Sequence, residues 1–289
     1  MSRLYQDYQV KQYGTWQLKT PRHQRPYFIE KDGLLCYNFL TMEKPDLTGL
    51  VTAVASKIGP MLDDLLKEHA SNIHSIHITG SAVISDYHEK FSDINSVVML
   101  HNMDLKFITF LAPLGKKYGK KRIAAPIVMT PDYVRDSLDA FPIEFLDFKL
   151  IHKTVYGLDI FKNIEIAASP LRLQAEREIK TKLIHVRQGY ISSLGKKEHL
   201  SSVLVRSFTG SMALFRAIIK LLGKEPPVAR AEVIAAVGSA CGFDTAVFTD
   251  LLLLKAGRIR PAGPELYSLF ERYYNALEAT GKIIDELPS

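Results

Sequence analysis

The chain has 289 residues, 47% hydrophobic and 24% charged, enough to bury one large core or two smaller ones. Its formal charge of +6 favours anionic ligands, nucleotides or nucleic acid, without choosing among them. The two cysteines, Cys36 and Cys241, are too few and too far apart for a disulfide framework or a thiolate metal site, which suits a reducing, cytoplasmic compartment.

Residues 1–45 open as a polar and aromatic arm punctuated by Pro21 and Pro26. Within it, Tyr27–Tyr37 has Asp32-Gly33 between two apolar runs, the pattern of a hairpin closed by a type I′ turn. Asp46 is the expected cap of a helix reaching about Ala70, because Leu50, Val54, Ile58, Met61 and Leu65 recur at helical spacing. Ile73–Thr79 and Asp93–Leu100 read as two central strands, joined through Gly80-Ser81 and a polar segment. Asp104 is positioned to cap a helix over Leu105–Leu114. A basic turn, Lys116–Arg122, follows, and Ile123–Thr130 is a third strand that Pro126 assigns to a sheet edge. Pro131–Leu138 is a short helix, Phe141–Leu150 a fourth strand, and Val155–Asp159 a turn.

Near residue 168 the period changes. Leu171–Leu194, His199–Leu222, Val228–Cys241, Asp244–Lys255 and Pro264–Leu287 all read as helices with short breaks, an all-α bundle. The expected class is therefore α+β, with a mixed sheet and flanking helices over 46–168 and a helical bundle over 169–289. The most apolar windows, 203–222 and 229–254, are each interrupted by charges, so neither a transmembrane span nor a membrane partner is expected.

Residues i and i+2 of a strand share a face, so Asp93 and Asn95 point together while Ile94 turns into the core. A turn built on Gly80-Ser81, with a helix N-terminus behind it, offers backbone N–H groups to a phosphate. An acid beside a phosphate turn suits Mg²⁺, which prefers oxygen ligands and shares substrate phosphates. Glu144 or Asp147, on opposite faces of the expected fourth strand, supplies a further acid. Glu144 is preferred because it lies nearer the strand start.

Gly80-Ser81, a spacer, Asp93-Ile94-Asn95 and the later acidic stretch Pro142–Asp147 together resemble the DNA polymerase β-like nucleotidyltransferase superfamily. The likeness is greatest to small bacterial members such as the antibiotic-modifying enzymes, and covers about residues 46–166. The resemblance implies Mg²⁺-dependent transfer of a nucleoside monophosphate from an NTP to a hydroxyl of a small-molecule or protein acceptor. Gly80 and Ser81 would hold the triphosphate, Asp93, Asn95 and Glu144 the metal, and Asp93 and Glu144 would carry the chemistry. The chain departs from the family pattern at Asn95, where a second aspartate is expected. An amide brings no charge and bridges two dications poorly, so the alternative is a weakened or inactive member that binds nucleotide or a partner. A nucleic-acid partner rests on the basic balance and the Lys116–Arg122 turn alone. The histidines show no metal-ligand spacing.

Overall fold

A computed structural model describes residues 44–287 and, before them, the backbone of four short strands. Those strands form two antiparallel pairs, β1 (Tyr8–Val10) with β2 (Trp16–Leu18) and β3 (Phe28–Lys31) with β4 (Leu34–Tyr37). The register Lys31↔Leu34 leaves two residues for the expected hairpin turn, which itself lies outside the described residues, as does the rest of the N-terminal arm. The class is α+β. Among the described residues a four-stranded mixed sheet is accompanied by ten α-helices, most of them in the C-terminal half.

The chain divides into two compact units, neither of them one continuous stretch. The first takes residues 1–79, 91–133 and 153–160. The second takes 80–90, 134–152 and 161–289.

The first unit holds α1 (Thr52–His69), β5 (Ile73–Thr79), β6 (Asn95–Leu100), α2 (Leu105–Gly119), β7 (Ile127–Met129) and most of β8 (His152–Gly157), with strand order β7-β6-β5-β8. β5 and β6 pair antiparallel, β6 and β7 parallel. The central strands are covered on both faces, so β5 is buried throughout and β6 is buried beyond Asn95. α1 does not start at Asp46. That carboxylate instead accepts from Thr48 N–H at 2.9 Å and from the Thr48 hydroxyl, making a local Asx turn upstream of the helix. Asp104 does cap α2, accepting from Lys106 N–H at 2.9 Å. The helix runs past its expected end, so Lys116 and Lys117 form its last turn. The expected third strand shrinks to β7, at the sheet edge where Pro126 pointed. Ile123 makes only an isolated bridge to Ile94.

β5 carries a polar chain on a strand that is otherwise core. The Ser75 hydroxyl lies 3.0 Å from His74 Nδ1 and 2.9 Å from His77 Nε2, and His77 Nδ1 lies 2.9 Å from Thr154 Oγ1. Burial, helped by the His101 ring at 5.3 Å, pushes the His74 imidazole down to about 4. Its folded value is below the unfolded one, so the unfolded chain binds the extra proton between those two pH values. Stability is then full above about pH 6.5 and falls by about 3 kcal/mol as pH drops toward 4. Urea unfolding at pH 7 and pH 4.5 checks this. His74→Gln removes most of that pH-dependent loss, and a variant as acid-sensitive as wild type would contradict it.

The second unit holds α4 (Pro142–Leu150), α5 (Ala168–Ser193), α6 (Lys197–Phe208), α7 (Ser211–Leu221), α8 (Arg230–Cys241), α9 (Ala246–Lys255) and α10 (Gly263–Glu286). The short α3 (Pro131–Asp136) straddles the division. One core joins Ile143 and Leu146 of α4 to Ile179, Ile218, Val237, Phe248 and Tyr273 of the later helices. The expected helix 199–222 is two, broken where Gly210 takes φ +83°.

The expected fourth strand over Phe141–Leu150 is overturned, because that stretch is the helix α4. Proline at its first turn and Glu144 close behind fit a helix start, and Ile143 and Leu146, three apart, bury one helical side. The strand that completes the sheet is β8, which includes the expected turn at Val155–Gly157. Among the described residues no single helix is long and apolar enough to cross a membrane.

Candidate functional site

The five predicted site residues divide between the units, Asp93 and Asn95 in the first, Gly80, Ser81 and Glu144 in the second. In the first unit Ile94 is fully buried while Asp93 and Asn95 are exposed, so the strand alternation presents the two polar side chains together. Asn95 opens β6 opposite Thr79, the last residue of β5.

Asp93 has a partner that the sequence did not announce. Arg122 Nη2 lies 3.1 Å from its carboxylate. The same guanidinium donates to the Phe91 carbonyl (3.0 Å) and, through Nε, to the Ser92 carbonyl (3.3 Å). Arg122 is held by its backbone as well, its carbonyl accepting from Ile94 N–H at 2.8 Å. It follows a Schellman-type end of α2. Ile123 N–H reaches the Tyr118 carbonyl at 3.4 Å, Arg122 N–H the Gly119 carbonyl at 3.0 Å, and Arg122 takes φ +62°. Glycine is the usual residue there, and an L side chain in that region costs about 1–2 kcal/mol. The parallel pairing of β6 and β7 explains the meeting, because it sets the residues before both strands at the same end of the sheet.

These residues do not fit Mg²⁺. The mouth of β6 offers one carboxylate, already matched by a guanidinium, and one neutral amide. The ion pair is exposed, 43% for Arg122 and 57% for Asp93, and such pairs are worth about 0–1 kcal/mol, so the pair alone would yield to a metal. The two carbonyl bonds are the stronger obstacle, since they keep the guanidinium in place whatever Asp93 does. A dication on Asp93 would sit beside a fixed positive charge, a repulsion of several kcal/mol at about 4 Å near a protein surface.

In the second unit Gly80–Val83 is a four-residue 3₁₀ turn, not the α-helix N-terminus expected behind a phosphate. Gly80 takes φ +69° and donates its N–H to the Ile151 carbonyl at 3.2 Å, so that N–H is spent on the fold. The Ser81 carbonyl accepts from Ile84 N–H at 3.4 Å, and Ser81 itself is half-buried. Asp86 then accepts from Arg230 N–H at 2.7 Å, at the first turn of α8.

Glu144 and Asp147 are three apart on α4, so they lie near one side of a helix and not on opposite faces of a strand. Glu144 is exposed, and its Oε2 accepts from Gln174 Nε2 at 2.8 Å. The same amide nitrogen serves Glu178 at 2.9 Å, and the Gln174 oxygen accepts from Ile143 N–H. Burial, and then the Glu144 charge, raises the Glu178 carboxyl above its ordinary range. Asp147 is bound instead to the buried Arg216, at 2.7 Å. Burial raises its carboxyl while the guanidinium opposes the shift. Neither acid therefore stands on a strand, and Asp147 serves the fold.

The basic turn is less available to nucleic acid than its composition implies. Lys117 pairs with Asp64 at 2.7 Å, and Lys117 and Lys121 both lie over the buried Tyr118 ring. The Tyr118 hydroxyl in turn donates to Asp64 and the Pro60 carbonyl, tying α2 to α1.

No protein-family model matches the chain, and no curated protein matches it.

Proposed function

We propose that the chain is a nucleotide-binding protein of the nucleotidyltransferase-like kind in which group transfer is weakened or lost. Asn95 carries the reading. It stands exposed beside Asp93 at the start of β6, where two-metal transfer needs a second carboxylate. The nucleoside triphosphate is the ligand, and Asp93, Asn95 and the rest of the mouth of β6 are the residues proposed to receive it.

The test uses radiolabelled ATP, GTP, CTP and UTP with wild type, Asn95→Asp and Asn95→Asp/Arg122→Gln. Wild type retains at least one nucleotide in equilibrium dialysis and releases pyrophosphate at background rate. Restoring the carboxylate raises release by about tenfold or more with Mg²⁺ only when Arg122→Gln also removes the neighbouring guanidinium. Retention of no nucleotide removes the reading.

A second reading, an Mg²⁺-dependent transferase acting on a small-molecule, protein or nucleic-acid hydroxyl, draws on the shared exposed face of Asp93 and Asn95. Wild-type turnover equal to that of Asn95→Asp/Arg122→Gln would favour it over the first.

A further inference from the structure

The cation that a nucleotide's phosphates would need is present in the chain itself. Arg122 stands in a backbone conformation that favours glycine, yet it is an arginine, and its guanidinium turns back onto the three residues before Ile94. Two carbonyls and one carboxylate hold Nε and Nη2. Among the described residues Nη1 makes no bond, and the side chain is 43% exposed. An arginine pinned by its inner edge presents its remaining N–H groups in the planar fork that suits phosphate oxygens.

We infer that Arg122 takes the place of the divalent cation at the mouth of β6, so that the chain binds nucleoside triphosphate without metal. This rests on the nucleotide-binding reading above and adds to it the identity of the counter-charge. Mg²⁺ would normally screen the triphosphate and bridge it to acids. Here the Phe91 and Ser92 carbonyls hold the guanidinium in its stead, and the neutral Asn95 avoids adding a negative charge against the phosphate. No bond is made or broken by this step.

Equilibrium dialysis of the full chain against labelled ATP, GTP, CTP and UTP, in EDTA and in Mg²⁺, tests it. Wild type binds as well in EDTA as in Mg²⁺. Arg122→Gln binds about tenfold or more weakly in EDTA, the loss of a charge-assisted hydrogen bond to phosphate, and Arg122→Lys, which keeps the charge but not the fork, falls between. Arg122→Gly relieves the backbone while removing the side chain, so weak binding by this variant too separates lost charge from misfolding. A parallel Mn²⁺ titration followed by electron paramagnetic resonance shows one more site in Asn95→Asp/Arg122→Gln than in wild type. Nucleotide bound only with Mg²⁺, undiminished binding by the Arg122 variants in EDTA, or a wild-type Mn²⁺ site abolished by Asp93→Asn overturns the inference while leaving nucleotide binding intact. Binding in neither medium removes both.

Discussion

Asp147→Ala is expected to destabilise the helical unit by about 3–5 kcal/mol, because it strands a buried guanidinium. The Arg216 side chain is 5% exposed, and among the described residues its charge is answered by Asp147 at 2.7 Å. Its other acceptors are the neutral carbonyls of Pro227 (3.1 Å) and Val228 (2.8 Å). Asp147→Asn keeps an acceptor and loses the charge, so it falls between wild type and alanine. Removing both members, as in Asp147→Ala/Arg216→Met, recovers much of the loss, since no buried charge then lacks a counter-charge. Glu144→Ala, at an exposed position, costs less than about 1 kcal/mol by comparison. Urea unfolding followed by circular dichroism ranks the four variants. Equal losses for Asp147→Ala and Glu144→Ala would refute the structural role given to Asp147.

Gly157→Ala has an effect of similar size in the sheet. Gly157 ends β8 at φ +72°, and an added Cβ would lie 2.1 Å from the His74 carbonyl oxygen and 2.9 Å from Ser75 Cα. Both are backbone of the buried central strand β5, with no side-chain rotation to relieve the overlap. Overpacking and left-handed strain together cost about 3–5 kcal/mol. Gly49→Ala is the matched comparison. Its φ of +77° carries similar strain, but the nearest atom is the flexible end of Lys153 at 3.7 Å. It should lose only about 1–2 kcal/mol. If the two variants melt alike, steric contact with β5 is not what Gly157 avoids.

How far the sequence disclosed these features depends on the range of the interactions that set them. Ile73–Thr79 and the Asp104 cap were legible because their signals are local, a run of alternating residues ending at glycine and an aspartate before an apolar periodic segment. The sharing of one face by Asp93 and Asn95 followed from strand alternation alone. Phe141–Leu150 imitates a strand because Ile143 and Phe145 alternate with Glu144, while the proline and acid at its start are its helix signal. Arg122 could not be paired with Asp93 from the sequence, since their meeting depends on β6 and β7 running parallel with α2 between them. Likewise Arg216 and Asp147 are 69 positions apart, and nothing local joins them.

The interleaving of the two units sets an order on synthesis. The last segment of the sheet unit ends at residue 160, so its strands can pair while the chain is still being made. The helical unit receives α4 early, yet Ile143 and Leu146 belong to a core that also includes Ile284, near the end of α10. During elongation at about 5–20 residues per second, those apolar side chains wait several seconds for the helices that cover them. For that interval α4 presents Pro142, Ile143, Phe145 and Leu146 as the kind of exposed apolar segment that chaperones bind.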